Sequence, residues 1–121
     1  MKLNHVNLSV PEVEVTAAFF EEHFGMRRVA ERAGMIAVML DESATVLTLS
    51  NFYKDSEVAY PRGFHVGFLQ DSREEVDAMF VRLQAAGFAH DRPRTVHGTW
   101  GFYFDAPGGV QVEVSVFQGA A

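Results

Sequence analysis

Cysteine is absent from this sequence of 121 residues. Disulfides, thiolate nucleophiles and cysteine-bound zinc are therefore excluded, and any metal ion has to be held by His, Asp or Glu. The lack of disulfides agrees with a reducing compartment, so we predict a cytoplasmic protein. Long apolar runs are also absent. None approaches the roughly 20 residues that a membrane span needs, and we predict no membrane segment.

Basic residues are scarce as well, since 10 Lys and Arg stand against 16 Asp and Glu and the net charge is −6. Duplex binding depends on basic side chains that neutralise phosphates, so this balance argues against a nucleic-acid partner. The length suffices for one compact domain, and 48% of the residues are hydrophobic, including eleven Phe. We therefore predict a single domain with its own core.

An internal repeat divides the sequence into two halves. Residues 3–8 align with residues 63–68, and this alignment superposes His5 on His65. In each half an amphipathic helical pattern follows, ended by Gly25 or Gly87. Ser72 and Glu75 have the spacing of a capping box at the start of the second helix. We place module one at about 1–52, a linker at 53–62 and module two at 63–117.

Strand-like segments complete each half: 27–31, 35–40 and 45–51 in the first, and 89–96, 100–105 and 110–117 in the second. The fold class predicted is therefore α+β, with two βαβββ modules in tandem whose mixed sheets curl around a concave site. Pro107 and Gly108 suit a type II turn between the last two strands.

Strand alternation indicates which side chains leave the helix-covered face. His5 and Asn7 point away from the helix in the first strand, and the valines of the last strand face the helix. In the fifth strand Phe64, Val66 and Phe68 are predicted on the helix face, which leaves His65 and Gly67 opposite. In the last strand Gln111, Glu113 and Ser115 are predicted opposite the helix, so His5, His65 and Glu113 are expected to share the concave side.

Two imidazoles and one carboxylate form a ligand set for a divalent metal with open coordination positions. Such a set suits Fe and also accommodates Mn, Zn, Co or Ni, and the ion would act as a Lewis acid on substrate oxygens. The alternative for each residue alone is a solvated position on a half-exposed sheet. The matching positions of the two histidines in the repeat favour the metal site.

The segments that carry these residues resemble the vicinal oxygen chelate superfamily over roughly residues 3 to 117. They are Leu-Asn-His-Val-Asn-Leu around His5, Phe-His-Val-Gly-Phe around His65, and Phe-Tyr-Phe-Asp-Ala-Pro-Gly-Gly-Val-Gln-Val-Glu at 102–113. That superfamily includes glyoxalase I, extradiol dioxygenases, fosfomycin-resistance enzymes, methylmalonyl-CoA epimerase and bleomycin-resistance proteins. The resemblance implies that His5, His65 and Glu113 stand at metal-ligand positions. It also implies a homodimer, often with each site assembled from both chains.

One position departs from the glyoxalase I pattern. Where members with four protein ligands carry Glu or Gln in the last strand of the first half, alternation places Thr48 here. A hydroxyl is a poor substitute for a metal-binding carboxylate, so glyoxalase I activity is disfavoured. Three ligands resemble the dioxygenase and fosfomycin branches better.

Further residues are candidates for the chemistry itself. His97 and Tyr103 are predicted as catalytic acid or base, each with the alternative of a surface turn or a packing role. Contacts with the substrate are predicted for a second set of four residues: Asn7, Thr48, Arg94 and Trp100.

Two functions remain open from the sequence. The first is a divalent-metal-dependent enzyme of dioxygenase, lyase, isomerase or transferase type that acts on a small molecule with paired oxygens. The second is a metal-free module that sequesters a small molecule or drug, as bleomycin-resistance proteins do. The retention of all three ligand-type residues favours the enzyme, but the fold alone does not decide. A vestigial domain used only for dimerisation is a weaker third hypothesis.

Overall fold

The computed structural model describes residues 1–118, and the chain divides into two compact units, Met1–Ala59 and Tyr60 onwards. The first unit contains β1 (His5–Ser9), α1 (Val13–Phe24), β2 (Arg27–Arg32), β3 (Ile36–Leu40) and β4 (Val46–Ser50). The second contains β5 (His65–Leu69), α2 (Arg73–Ala85), β6 (Arg94–Val96), β7 (Thr99–Asp105) and β8 (Gln111–Phe117). The predicted α+β class with tandem βαβββ modules is confirmed. Neither described helix has the length and apolar character to cross a membrane.

The two sheets have the same topology. Their strand orders are β1-β4-β3-β2 and β5-β8-β7-β6, so in each unit the first strand pairs in parallel with the last. The registers match too, because Asn7 lies opposite Thr48 as Gly67 lies opposite Glu113. Thr48 therefore occupies in the first unit the position that Glu113 holds in the second.

Each helix packs its apolar stripe on one face of its own sheet. In the first unit Phe20 and Ala17 of α1 are buried together with Leu8, Met39 and Leu49 of the sheet. In the second, four valines of β8 and its preceding turn join the side chains of α2 in the core: Val110, Val112, Val114 and Val116. The functional side chains of β8 consequently lie on the face opposite α2.

The start of α2 follows the predicted signal in part. The hydroxyl of Ser72 accepts a hydrogen bond from the backbone N–H of Glu75 at 3.2 Å, which is the expected cap. The Glu75 carboxylate, however, accepts from the N–H of Asp71 at 2.9 Å rather than from Ser72. Two side-chain hydrogen bonds therefore fix the start of α2, one from the N–H of Glu75 to Ser72 and one from the N–H of Asp71 to Glu75.

The turn before β8 has the predicted form. The N–H of Gly109 donates to the carbonyl of Ala106 at 3.0 Å, and Gly108 has a φ of 89°. A positive φ at the third residue defines a type II turn and favours glycine there, so the prediction from Pro107-Gly108 is confirmed.

Two strand predictions in the second unit are wrong. Strand β6 spans only Arg94–Val96 instead of 89–96, since Pro93 has no N–H to donate to a sheet. Phe64 lies before β5 rather than within it, is 40% exposed and stacks on Tyr60 with ring centroids 5.2 Å apart. It therefore does not continue the helix-facing row of Val66 and Phe68, which are themselves only partly buried.

A cluster of charges ties β2 to α1. The guanidinium of Arg28, whose side chain is only 15% exposed, contacts the carboxylates of Glu14 and Glu21 at 2.6 Å and Glu31 at 2.8 Å. The hydrogen bonds that Arg28 donates to these carboxylates raise the pKa of Arg28, and they lower the pKa of Glu14. The cluster stabilises the contact between strand and helix and plays no part in the candidate site.

Candidate functional site

Polar side chains gather on the face of the second sheet that lies opposite α2. The registers place them in rows across the strands: His65 beside Gln111, Glu113 beside Tyr103, and Ser115 beside Gly101. A cavity of about 460 Å³ opens over β6, β7 and β8. The residues that line it are Asp91, Arg92, Arg94, Val96, Thr99, Gly101, Phe102, Tyr103, Gln111, Glu113 and Ser115.

His65 is held in one tautomer by the backbone. Its Nδ1 lies 2.8 Å from the carbonyl oxygen of Gly63, and because a carbonyl only accepts, Nδ1 carries the proton. In the neutral ring Nε2 then keeps its lone pair, and it lies 3.9 Å from Oε2 of Glu113. This is the usual arrangement of a metal-binding histidine, in which the second ring nitrogen is fixed by a backbone carbonyl.

Glu113 is the most connected side chain of the site. Its Oε1 accepts a hydrogen bond from the Ser115 hydroxyl at 2.8 Å, and its side chain is only 16% exposed. A hydrogen bond between Tyr103 and Glu113, together with burial, raises the pKa of Tyr103. The Tyr103 ring also meets His65 edge to face, with centroids 5.5 Å apart. Tyr103 and Ser115 therefore orient the carboxylate and leave it beside His65.

Gly101 brings β7 unusually close to β8 beneath this site. A Cβ at residue 101 would lie 2.4 Å from Cβ of Ser115 and 2.5 Å from the carbonyl oxygen of Val114. No side chain fits there without a shift of the backbone. Between Arg94 on β6 and Ser115 on β8, the middle strand therefore presents no side chain to the cavity.

The first unit carries a less acidic version of the same arrangement. Nε2 of His5 lies 3.2 Å from the hydroxyl oxygen of Thr48, where His65 has a carboxylate. The Ser50 hydroxyl donates to Oδ1 of Asn7 at 2.9 Å. This face therefore offers a single imidazole and neutral oxygens.

The donor set of the second unit fits a divalent ion. Two bonds of about 2.1 Å at the tetrahedral angle place their donor atoms about 3.4 Å apart. Nε2 of His65 and Oε2 of Glu113 lie 3.9 Å apart, so a small rotation of either side chain would bring both onto one ion. Over residues 1–118 no group of three His, Asp or Glu side chains that could hold a metal was found. The structure thus brings together two of the three predicted ligands, and His5 as the third stays a prediction.

Two predicted site residues lie elsewhere. Trp100 is on the α2 side of β7, where its indole N–H donates to Asp77 at 2.8 Å and the guanidinium of Arg73 stacks on the ring at 3.8 Å. His97 is exposed in the two-residue turn between β6 and β7, with a φ of 50°. Strand alternation sends Trp100 away from the cavity because Gly101 and Tyr103 face it. Neither side chain lines this cavity, and a role of Trp100 in substrate binding or of His97 in catalysis stays a prediction.

The remaining predicted site residues are divided between the two units. Tyr103 and Arg94 line the cavity, whereas Asn7 and Thr48 belong to the first unit and their contact with a substrate stays a prediction. The sequence analysis did not predict the two groups that orient the proposed ligands: the carbonyl of Gly63, which accepts from His65, and the hydroxyl of Ser115, which donates to Glu113. The repeat carried a signal for Ser115, because Ser50 follows Thr48 at the same spacing that separates Ser115 from Glu113.

Comparisons with known proteins find relatives over nearly the whole length of the chain. The family model described as Glyoxalase/Bleomycin resistance protein/Dioxygenase superfamily matches residues 2–114. An uncharacterized protein of Pseudomonas aeruginosa is 31% identical over 96% of this chain and 89% of its own length. A solved structure of a possible glyoxalase from Bacillus cereus is 41% identical, covers 94% of this chain and 97% of its own, and has a TM-score of 0.85.

More distant structures share the fold alone. A lactoylglutathione lyase from Agrobacterium tumefaciens is 20% identical, with 97% of this chain and 94% of that chain covered and a TM-score of 0.79. A genomically encoded fosfomycin resistance protein from Listeria monocytogenes is 23% identical, with 96% and 93% covered and a TM-score of 0.74.

Proposed function

Because the chain belongs to the Glyoxalase/Bleomycin resistance protein/Dioxygenase superfamily, we propose that it is a divalent-metal-dependent enzyme that acts on a small molecule with two adjacent oxygens. His5, His65 and Glu113 are the proposed ligands. The observation that carries the proposal is the geometry of the last two, with Nε2 of a tautomerically fixed histidine 3.9 Å from a half-buried carboxylate. Ser115 bonds Oε1 of Glu113, whereas Oε2 lies toward His65, where a divalent cation would be a partner for both groups.

The bound metal would act as a Lewis acid that polarises the substrate oxygens. The chain's own residues do the rest. Gly63 keeps the His65 ring oriented through Nδ1, and Ser115 fixes one oxygen of Glu113. Tyr103 keeps the proton of its hydroxyl in a hydrogen bond to the same carboxylate, and it is the proposed acid when a substrate atom in the cavity replaces Glu113 as the acceptor of that proton.

The proposed cofactor is one ion of Fe, Mn, Zn, Ni or Co, since imidazole and carboxylate accommodate all five. The proposed assembly is a homodimer, as the resemblance to the superfamily implies. The reaction class within the superfamily, whether dioxygenase, lyase, isomerase or transferase, follows from the ion and the substrate.

Metal content tests this proposal. Purified protein is supplemented with each ion in turn, desalted and examined by elemental analysis, and we expect about one equivalent of at least one ion. The variants His65→Ala and Glu113→Gln should lose it, since each removes one of the paired donors. His90→Ala is the matched control, because His90 is exposed and outside the proposed set.

Retention below about a tenth of an equivalent with every ion, or full retention in His65→Ala, contradicts the proposal. The first result favours the second candidate, a metal-free module that sequesters a small molecule or drug, whereas the second shows that the ion is held by other residues. The contact between His5 and Thr48 supports that candidate, because it places a neutral hydroxyl where a fourth ligand would stand. Ligand binding that is unchanged by a chelator would establish it.

A further inference from the structure

Two side chains donate hydrogen bonds to the carboxylate of Glu113, and they differ in how firmly they are held. Ser115 is 1% exposed, whereas Tyr103 is 37% exposed. The Ser115 hydroxyl lies 2.8 Å from Oε1 of Glu113, and over residues 1–118 this is the one hydrogen bond that its side chain forms. A buried hydroxyl has no water as an alternative acceptor, so it keeps its bond, while Tyr103 at the open cavity can exchange its acceptor.

The two oxygens of Glu113 consequently have different surroundings. Oε1 lies against the sheet, since it is 3.8 Å from the point where a Cβ at residue 67 would stand and accepts from Ser115. Oε2 lies toward the imidazole, 3.9 Å from Nε2 of His65. Oε2 is therefore the oxygen that can share an ion with His65, while Oε1 is held by the serine.

The first unit shows that the serine alone does not create this arrangement. Ser50 stands at the matching place and is 2% exposed, but its hydroxyl donates to the amide oxygen of Asn7 at 2.9 Å. In the second unit Gly67 takes the place of Asn7. No amide competes there for the hydroxyl, so Ser115 bonds the carboxylate.

We propose that Ser115 is a positioning residue that makes Glu113 a metal ligand through one oxygen. Its bond to Oε1 withholds that oxygen and fixes the rotation of the carboxylate, so that Oε2 alone is presented beside His65. Groups that hydrogen-bond a metal-binding side chain typically contribute about 10–100-fold in metal affinity. The inference rests on the proposed function, because it concerns the ion that His65 and Glu113 are proposed to bind.

Cobalt is the probe ion, because the visible absorption of Co²⁺ weakens as the number of bound donor atoms rises. Wild type and Ser115→Ala are titrated with Co²⁺ under the same conditions. Without the hydroxyl both oxygens of Glu113 are free to bind, so we expect a weaker absorption per bound Co²⁺ in Ser115→Ala. The carboxylate also loses its fixed orientation, so the affinity for Co²⁺ should fall by at least about tenfold. Ser115→Thr keeps the hydroxyl and should restore the wild-type spectrum.

Ser50→Ala is the matched control, because it removes an equally buried hydroxyl that donates to an amide instead of a carboxylate. Its Co²⁺ affinity and spectrum should equal those of wild type. The thermal midpoint of each metal-free variant is measured alongside and separates lost positioning from lost folding. An unchanged spectrum in Ser115→Ala at any affinity, or the same change in Ser50→Ala, would overturn the inference.

X-ray absorption of the loaded wild type tests the inference without a substitution, at the edge of whichever proposed ion is retained. Binding through both oxygens brings the carboxyl carbon close to the ion, so we expect no such short distance between metal and carbon. Retention of an ion with both oxygens of Glu113 bound contradicts this inference alone. Failure of the wild type to retain any of the five proposed ions contradicts the proposed function together with this inference.

Discussion

Gly101→Ala replaces one hydrogen by a methyl group at the tightest point of the second sheet. Its Cβ would lie 2.4 Å from Cβ of Ser115, 2.5 Å from the carbonyl oxygen of Val114 and 2.9 Å from Cα of Ser115. All three atoms belong to the backbone of β8 or are attached directly to it. A rotamer change cannot relieve the overlap, so β7 and β8 have to separate.

The expected cost is that of an overpacked core. Inserting a methyl group into a well-packed site destabilises by about 1–3 kcal/mol, which corresponds to a midpoint of thermal unfolding lowered by roughly 4–12 °C at about 4 °C per kcal/mol. The strands that separate carry Tyr103 and Glu113, so the proposed metal site should loosen as well. We therefore expect weaker metal retention in the same variant.

Gly67→Ala is the matched control. Residue 67 lies on the same face of the same sheet, but a Cβ there would meet its nearest atoms, all of Glu113, at 3.7–3.8 Å. That is ordinary contact, and alanine restricts the unfolded chain more than glycine does. The free energy of unfolding should therefore stay within about 1 kcal/mol of wild type.

Urea unfolding followed by fluorescence measures both variants. Trp100 is the only tryptophan and is held between β7 and α2 by Asp77 and Arg73, so its emission reports on the second unit. At constant m the midpoints compare stability directly. The steric reasoning is refuted if Gly101→Ala unfolds at the wild-type midpoint, or if Gly67→Ala loses as much as Gly101→Ala.

Three further predictions concern other parts of the chain. Ser72→Ala should cost about 1 kcal/mol in urea unfolding because the N–H of Glu75 loses its cap, while Ser72→Thr should recover most of it; equal stability of all three proteins would contradict this. Arg28→Met should lower the thermal midpoint by a few degrees at neutral pH and low salt, less so at high salt. Because Arg28 lowers the pKa of Glu14, the stabilisation from this ion pair is present above the ordinary pKa of a glutamate and is lost as the pH falls through the lowered pKa of Glu14. The thermal midpoints of wild type and Arg28→Met should therefore converge in acid. A difference between them that does not depend on pH would contradict a stabilising role of the ion pair. The double variant Asn7→Gly/Thr48→Glu gives the first unit the Gly–Glu pair that the second unit has at Gly67 and Glu113. Addition of the proposed metal ion should then raise the thermal midpoint of this variant more than that of wild type, because a second carboxylate faces a histidine. The control Asn7→Gly/Thr48→Gln, which lacks the carboxylate, should not show the larger rise.

The modules could be predicted because burial imposes local periods on the sequence. The valines of β8 alternate with polar residues, and the helices end near Gly25 and Gly87 as expected. Strand β6 begins only at Arg94, because Pro93 has no N–H to donate to a partner strand and the polar run before it, from His90 to Arg92, lies outside the sheet. Local pattern therefore predicts the existence of an element better than its ends.

The site could be predicted only in part. Strand alternation predicted His65 and Glu113 on the same face, and the parallel pairing of β5 with β8, which the sequence did not predict, makes them neighbours. The contact of Trp100 with Asp77 and Arg73 on the α2 side of β7 depends on tertiary packing that the sequence pattern does not show. The fixed tautomer of His65 depends on the path of the backbone at Gly63, and no residue pattern reveals that contact.

The two units differ in which strand of the matching pair carries the larger polar side chain. The first unit sets Asn7 beside Thr48, and the second sets Gly67 beside Glu113. Glutamate is the larger residue, and glycine opposite it leaves the space that its side chain needs. Without an amide at residue 67, the serine two positions along β8 donates to the carboxylate, whereas Ser50 donates to Asn7. A change at Thr48 alone would therefore meet the Asn7 side chain and compete for the Ser50 hydroxyl, so a second carboxylate requires both positions to change together.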